Sequence, residues 1–269
     1  MDVPAPLARG AALLRGPVCH GALRVEARSL VCDARHTYDI ARHGHVTLAR
    51  GTVAAGDDAE MVAARVAVFD AGHYAPLTQA LSRASAPARV VLDLGAGTGH
   101  HLAGVLSGDA LGFALDTSRP ALRHAVRAHP GIAGIVADVW QDLPLLDASA
   151  DLVLDVFSPR NGTEIARVLK PGGVALVVIP TPEHLGELAG LHGVSVDPDK
   201  VERLERTVGA QLDLDRRETV RWTMDLDASA VEQVLKMSPA GAHRRAGSAA
   251  RAAQVTGSVE LWRFTRRPA

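Results

Sequence analysis

The chain has 269 residues, of which 47% are hydrophobic and 22% charged, and its formal net charge is −1. This composition is that of a folded globular protein, and the absence of any run of about 18 apolar residues argues against a membrane-spanning helix. Aromatic residues make up only 3% of the chain, which argues against a grip on RNA by base stacking. Because the N-terminus lacks the pattern of a signal peptide and only two cysteines occur, we expect a cytoplasmic protein without disulfides.

Residues 1–50 are predicted to form a small, loop-rich unit. They contain both cysteines and four of the twelve histidines, and short strands are expected around Ala22–Val25 and Leu30–Cys32. Residues 51–88 are predicted to be a helical connector, in which two helices are separated by a turn at Asp70–His73.

Residues 89–269 are predicted to form one domain in which strands and helices alternate. Such alternation is typical of a mostly parallel sheet wound by right-handed crossovers, so we predict an α/β, Rossmann-like fold. Two later β-rich segments, Thr219–Leu226 and Ser258–Arg266, are expected to pair antiparallel at the sheet edge. The apolar runs predicted as parallel strands are Val90–Leu94, Ala110–Leu115, Gly134–Val136, Leu152–Val156 and Val174–Ile179.

A glycine-rich turn follows the first of these strands. Asp93 lies at the strand end, and the chain then passes through Gly95, Gly97, Thr98 and Gly99 into a helix. Glycine lets the backbone adopt positive φ and approach a ligand closely. A dinucleotide site requires G-x-G-x-x-G, and position 100 is a histidine. The spacing instead resembles motif I of class I methyltransferases that use S-adenosylmethionine (AdoMet), in which the acid faces the charged methionine amine.

Acidic residues also follow the next two strands. Asp116 comes 23 residues after Asp93, at the position where an acid usually binds the ribose hydroxyls, and Asp138 comes where such enzymes contact the adenine. Any one acid could equally be a solvated strand end or a helix cap. Three acids at the carboxyl ends of successive strands indicate a ligand site, because ligands bind at those ends in open α/β sheets. The sequence therefore predicts an AdoMet-binding domain.

The connector carries a distinctive pattern, DDAEMVAAR at 57–65 and FDAGHYAPL at 69–77. It resembles the 23S ribosomal RNA guanine-N1 methyltransferases, including those that protect macrolide producers from their own antibiotic, and the similarity extends from about Gly16 to Leu185. The resemblance implies an AdoMet-dependent methyltransferase in which Tyr74 and His184 contact AdoMet. From the residues alone, Tyr74 could equally be a core residue and His184 a polar residue at a helix start.

The acceptor pocket is expected beyond the fourth parallel strand. Methyl transfer to guanine N1 requires that the N1 proton be removed, and Asp155 is the candidate base. Asp155 could equally be a strand residue that pairs with Arg160. The other candidate acceptor residues are Phe157, Ser158, Arg160 and Asn161.

The resemblance also implies an N-terminal zinc finger of pattern C-x2-C-x12-C-x3-H. Cys19, Cys32 and His36 fit its last three positions, but the first position is Gly16. A structural zinc site normally has four ligands. Two alternatives are open: a metal-free unit, or a rebuilt site in which the missing ligand is replaced by His20, His43 or His45.

Three functions remain open from the sequence. The first is methylation of 23S rRNA, the second is methylation of a small molecule in antibiotic biosynthesis, and the third is AdoMet binding without catalysis. The family carries aromatic residues after an M-T-P motif, whereas residues 237–243 contain none. The missing aromatic residues and the glycine at position 16 leave the methyl acceptor undecided, but they do not affect the predicted methyl transfer. Expected partners are rRNA or a small acceptor, and a homodimer is left open.

Overall fold

The computed structural model describes residues 3–189, 199–237 and 250–267. Residues 238–243, where the missing aromatic motif would lie, are outside the described residues. The strands are β1 (Leu23–Glu26), β2 (Ser29–Cys32), β3 (Thr37–Asp39), β4 (His45–Thr47), β5 (Val90–Leu94), β6 (Leu111–Asp116), β7 (Ile132–Val136), β8 (Ala150–Val156), β9 (Leu169–Pro180), β10 (Asp213–Leu226) and β11 (Ala253–Thr265).

Helices surround the strands. They are α1 (Ala5–Gly10), α2 (Ala59–Asp70), α3 (Ala75–Ala84), α4 (His100–Val105), α5 (Arg119–Ala128), α6 (Gly162–Val168), α7 (Lys200–Leu204) and α8 (Ala228–Lys236), with short 3-10 turns at Ala11–Leu13 and Gly186–Leu188 and a π-helical segment at Glu205–Gly209. The predicted turn between two connector helices lies between α2 and α3. Asp58 caps α2, since its carboxylate accepts the backbone N–H groups of Glu60 and Met61.

One eight-stranded sheet of the described residues has the order β10-β11-β9-β8-β5-β6-β7-β4. β5, β6, β7, β8 and β9 pair parallel, whereas β10, β11 and β9 pair antiparallel. The predicted α/β, Rossmann-like class with an antiparallel edge is confirmed. Two hydrophobic layers, one on each face of the sheet, bury its side chains.

β9 begins earlier than its apolar run predicts. Ala150 of β8 pairs with Leu169, and Leu152 pairs with Val174, so that residues 170–173 bulge out of the ladder. Gly172 has a φ of +75° in this bulge. The Lys-Pro-Gly-Gly segment at 170–173 therefore interrupts a long strand.

The N-terminal residues share the core of the large sheet. β1, β2 and β3 form a separate three-stranded antiparallel sheet, but β4 pairs parallel with β7 at the edge of the large sheet. Leu7, Leu14 and Leu30 are fully buried in the same hydrophobic layer as Leu92. The division into units 1–50, 51–88 and 89–269 stays a prediction, and the first of them contributes a strand that the sequence pattern did not indicate.

No helix within the described ranges is long and apolar enough to cross a membrane.

Candidate active site

The glycine loop after β5 has the backbone geometry that its sequence predicts. Gly95, Gly97 and Gly99 all have positive φ, at +66°, +53° and +75°. A Cβ at Gly95 would stand 2.2 Å from the Ser158 Oγ, so glycine is also required there by close packing. Thr98 is buried within the loop. This path leaves the loop backbone free to lie against a ligand at the carboxyl ends of β5 and β6.

Asp116 ends β6 and holds the glycine loop. Its Oδ2 accepts the Gly97 backbone N–H at 2.8 Å, and its Oδ1 accepts the Ser118 backbone N–H at 2.7 Å. Burial raises the pKa of Asp116, while these two hydrogen bonds oppose the shift. Each oxygen keeps a lone pair that can accept a ribose hydroxyl. The geometry thus fits the role the sequence assigns.

Asp93 and Asp155 are two buried acids near the ends of neighbouring strands. Leu94 pairs with Asp155 in the β5–β8 ladder, and Asp93 lies one residue earlier. Burial, and then the charges of Asp155 and Asp116, raise the pKa of Asp93 well above its ordinary value. A cationic amine at this point would relieve both effects. AdoMet carries such an amine, so the buried acid fits the cofactor.

Asp138 lies two residues beyond the end of β7, which stops at Val136, so it does not itself end the strand. Its Oδ1 accepts the backbone N–H of Trp140 at 2.9 Å, in a turn. The Trp140 side chain is 65% exposed. Asp138 still lies beyond the carboxyl end of β7, which is the neighbour of β6 in the sheet.

Tyr74 and His184 meet, although they are 110 residues apart. The Tyr74 Oη lies 3.4 Å from His184 Nε2. His184 Nδ1 accepts the backbone N–H of Ser258 in β11 at 3.1 Å, which assigns the ring proton to Nε2 and makes Tyr74 the acceptor. Burial lowers the pKa of His184 to about 4, so the ring is neutral near pH 7.

An aromatic cluster that the sequence did not predict surrounds this pair. Phe69 and Trp222 contact the Tyr74 ring edge-on at 5.4 Å and 5.5 Å between centroids, and Phe157 lies 5.5 Å from the His184 ring. The Trp222 Nε1–H donates to the His73 carbonyl at 2.8 Å. Of the chain's four Phe, two Tyr and three Trp, four therefore meet here. The other five lie elsewhere in the chain, so the sequence carried no signal for this cluster.

Arg65 is a further residue that the sequence analysis did not identify. Its Nε donates to Asp57 Oδ2 at 3.1 Å, and a side chain on Gly97 would contact its Cδ at 3.6 Å. The Ser118 Oγ donates to the Asp57 carbonyl at 2.6 Å. These contacts of Asp57 hold the connector segment across the opening of the cofactor cleft.

The predicted acceptor residues divide into two groups. Phe157 has a φ of +57° and is 41% exposed, so its ring is available to a substrate. Ser158 packs against Gly95, and Arg160 lies 3.6 Å from Asp155, Nε to Oδ1. Asn161 is the N-cap of α6, since its side chain accepts the Glu164 N–H at 3.3 Å. Asn161 thus has a structural role that accounts for it without a substrate.

Asp155 is fully buried, and neither of its carboxylate oxygens has a hydrogen-bond partner among the described residues. Burial raises its pKa to about 8, although the Arg160 charge opposes the shift. The alternative expected from the sequence, a pairing with Arg160, is present in the structure. An unsatisfied buried carboxyl costs stability and often marks a functional position.

The predicted metal ligands also come together. One ligand atom each from Cys19, Cys32 and His36 lies within 4.8 Å of the others. The proposed substitutes lie elsewhere: His20 Nε2 is 3.8 Å from Asp142 Oδ2, His43 faces arginines, and His45 is buried in β4 against Gly134. Among the described residues, none of these three histidines lies in the cluster of Cys19, Cys32 and His36.

Two family models match the chain. Residues 91–173 match the family described as “Methyltransferase domain”, and residues 14–49 match a zinc-ribbon family described as “RlmA, N-terminal”. The first match covers the glycine loop and the strand ends that carry Asp93, Asp116, Asp138 and Asp155. The second covers the Cys and His cluster.

Curated relatives match over most of their length. The chain is 46% identical to the 23S rRNA (guanine(748)-N(1))-methyltransferase of Streptomyces fradiae, over 86% of each chain. It is 41% identical to a putative 23S rRNA (guanine-N(1)-)-methyltransferase of Micromonospora griseorubida, over 93% of this chain and 96% of that one. A putative enzyme of the same name from Bacillus subtilis is 30% identical over 84% of this chain.

A solved structure gives the same fold. A putative methyltransferase in complex with the Haloferax volcanii Trm112 activator superposes with a TM-score of 0.52 at 21% identity, over 77% of this chain and 95% of that one. That match shows the fold alone, whereas the curated relatives show the family. The chain is an AdoMet-dependent methyltransferase, and it belongs to the family of the 23S rRNA (guanine-N1)-methyltransferases.

Proposed function

We propose that this chain methylates N1 of a guanine in 23S rRNA. The observation that carries the proposal is the 46% identity to a relative named for that reaction, over 86% of each chain. The acids and the glycine loop that we propose to bind the cofactor lie at the carboxyl ends of neighbouring parallel strands. AdoMet supplies a methyl group that a positively charged sulfur has already activated.

The cofactor is bound mainly by acids and backbone. Asp93 is placed to face the methionine amine, Asp116 to accept the ribose hydroxyls, and Asp138 to contact the adenine. The loop of Gly95, Gly97, Thr98 and Gly99 lies between the first two of these acids. Tyr74 and His184 form a neutral, aromatic side of the proposed cofactor cleft. A neutral imidazole suits this position, since a charged one would repel the sulfonium.

The acceptor guanine is placed by the segment after β8. The exposed Phe157 ring offers a surface on which a base can stack, an interaction worth about 1–3 kcal/mol per base. Guanine N1 carries a proton near neutral pH, and the Asp155 carboxylate is our candidate to accept it. Because Asp155 is enclosed, this role requires the segment from Phe157 to Arg160 to shift when the base enters.

The test is the identity of the methylated product. The protein is incubated with labelled AdoMet and either protein-free 23S rRNA or an extract of small metabolites, and digested RNA is analysed for 1-methylguanosine by mass spectrometry. We expect label in 1-methylguanosine, and none with the Gly97→Arg variant, which should not bind cofactor. Label in a small molecule with none in RNA would instead favour a biosynthetic enzyme. Macrolide resistance, a cytoplasmic location and a homodimer stay predictions.

A further inference from the structure

Three arginines follow one another along the exposed side of α5. Arg119, Arg123 and Arg127 are spaced four residues apart, and all three are exposed. Residues four apart lie on one face of a helix, and each interval advances by about 6 Å along its axis. The helix contains no Asp or Glu. These three residues form the α5 stripe, which presents three positive charges over about 12 Å.

The turn before β4 adds a fourth positive charge to this surface. The turn packs on α5, since a Cβ on Gly44 would contact Val126 Cγ2 at 3.9 Å. Arg42 is exposed in the same turn. Desolvation lowers the pKa of His43, and the charges of Arg42 and of two members of the α5 stripe lower it further. Arg42 and the α5 stripe are therefore close enough to form one positive surface, which joins the N-terminal residues to the large sheet.

This surface has no acidic partner within the described ranges. No carboxylate there forms an ion pair with Arg42 or with the α5 stripe. Elsewhere, Arg65, Arg167 and Arg217 each pair with a carboxylate. The formal net charge of the whole chain is −1, so the positive surplus is local. A surplus of basic residues on one surface is the electrostatic mark of a polyanion site.

The α5 stripe works against the stability of its own helix. Like charges four residues apart repel one another. Arg119 also lies in the first turn of α5, where the helix dipole disfavours a cation. A bound polyanion would remove both effects, because its charge would lie between and beside the guanidinium groups. The arrangement is thus unfavourable for the free protein and favourable for a complex with a polyanion.

The α5 stripe begins beside the proposed cofactor cleft. Arg119 directly follows Ser118, whose backbone N–H donates to Asp116 Oδ1 at 2.7 Å. The N-terminal end of the stripe therefore lies near the carboxyl end of β6. From there α5 runs along β7 and β4, at one edge of the large sheet. A polyanion bound along the stripe would thus reach the edge of the sheet at which methyl transfer is proposed.

We propose that the α5 stripe, together with Arg42, binds the phosphate backbone of 23S rRNA next to the target guanine. This inference rests on the proposed function, and it names the surface that the RNA occupies outside the acceptor pocket. Guanidinium groups bind phosphate oxygens through paired, charge-assisted hydrogen bonds. Such contacts fix the position of the RNA on the protein and do not read its sequence.

The test variant is Arg123→Gln combined with Arg127→Gln in the full chain. Glutamine keeps the helix propensity of arginine and removes only the charge. Arg216→Gln combined with Arg267→Gln is the matched control, because both residues are exposed on the opposite side of the large sheet, at β10 and β11. Filter binding of protein-free 23S rRNA at several salt concentrations, calorimetry with AdoMet and urea unfolding are measured for both variants.

We expect the α5 variant to bind rRNA at least about tenfold more weakly at low salt, because two phosphate contacts are lost. The slope of log affinity against log salt should become shallower by about 2. AdoMet affinity should stay native. The free energy of unfolding should stay native or rise, since repulsion along α5 is removed, whereas a purely structural role of these arginines would lower it. The control should bind rRNA as the unaltered chain does.

Native rRNA affinity and a native salt slope in the α5 variant would overturn the proposal and leave the stripe to an acidic protein partner. An equal loss in the control would also overturn it, since the attraction would then be spread over the whole surface. Binding of rRNA by the unaltered chain without methylation would contradict the proposed function and leave this inference standing. An unaltered chain that does not bind rRNA at all would overturn both.

Discussion

The backbone N–H of Gly97 donates to the Asp116 Oδ2 at 2.8 Å, and this hydrogen bond joins the glycine loop to the end of the next strand. The two residues also lie on either side of the space where the ribose of AdoMet is proposed to bind. Cofactor binding and loop conformation are therefore coupled through one carboxylate.

Gly97→Arg should abolish measurable AdoMet binding. The new side chain would enter the cleft beside Arg65, and the residue must keep a φ of +53° that costs about 1–2 kcal/mol for a side chain. Gly108→Arg is a matched control, because Gly108 has the same φ and open surroundings, in the turn that precedes β6. Calorimetry should show lost binding in the first variant and native binding in the second. Similar losses in both would mean that backbone strain, and not occupancy of the cleft, is responsible.

Asp116→Ala should raise the Kd for AdoMet at least about tenfold. The change removes charge-assisted hydrogen bonds worth about 1.5–3 kcal/mol each, and it also releases the Gly97 and Ser118 amides. Asp116→Asn keeps the side-chain shape and one acceptor oxygen, so its loss should be smaller. Native affinity of Asp116→Ala in calorimetry would contradict a ribose contact.

Asp155→Asn should lower kcat strongly while AdoMet affinity stays near native. A base must be deprotonated to act, so the rate of the unaltered enzyme should rise as pH increases through about 8, the raised pKa of Asp155. Asp151→Asn is the control in the same strand, since Asp151 lies at the other end of β8 and pairs with Lys170 at 2.6 Å. A native rate in Asp155→Asn would leave Asp155 with a positioning role toward Arg160.

The same residue predicts a pH dependence of stability. The folded state keeps a proton on Asp155 up to about pH 8, whereas the unfolded chain releases it near the ordinary value of 3.8. Between these values the folded state binds more protons, so its contribution to the free energy of unfolding falls as pH rises. Asp155→Asn does not titrate and should gain stability relative to the unaltered chain across that window. Urea unfolding at about pH 5 and about pH 8 measures this difference, and a constant difference would contradict it.

The fold, and the position of the acids near the strand ends, could be predicted because parallel strands bring their carboxyl ends to one edge. Asp93, Asp116 and Asp155 each follow or end an apolar run that is visible in the sequence. Their position along a strand is enough to locate these acids at one edge of the sheet, and no knowledge of side-chain packing is needed.

The aromatic cluster and β4 could not be predicted in this way. Trp222 comes from β10 and Phe69 from α2, and only tertiary packing brings them to Tyr74. β4 has three residues and no hydrophobic alternation of its own, so its pairing with β7 depends on the neighbouring strand.

Recognition of rRNA is expected to rest on arginines of the N-terminal unit, because aromatic side chains are scarce there. The candidates are Arg24, Arg28, Arg35 and Arg42, and the structure gives them different surroundings. Arg24 pairs with Asp33 at 2.8 Å, and Arg28 donates to the carbonyls of Ile40 and Ala41, so both contribute to local structure. Arg35 and Arg42 are exposed. These two are therefore the residues to change.

Arg35→Glu combined with Arg42→Glu should abolish RNA methylation and leave AdoMet affinity unchanged. Each phosphate contact releases counterions, so the slope of log affinity against log salt should also become shallower by about 1 to 2. Arg216→Glu is the matched control, since Arg216 is exposed on β10 at the opposite edge of the sheet. Filter binding of rRNA at several salt concentrations measures the slope. If the double variant still methylates rRNA at the native rate and with the native salt dependence, the N-terminal unit does not hold the RNA through these arginines, and the contacts must come from the α5 stripe or from the face around Phe157.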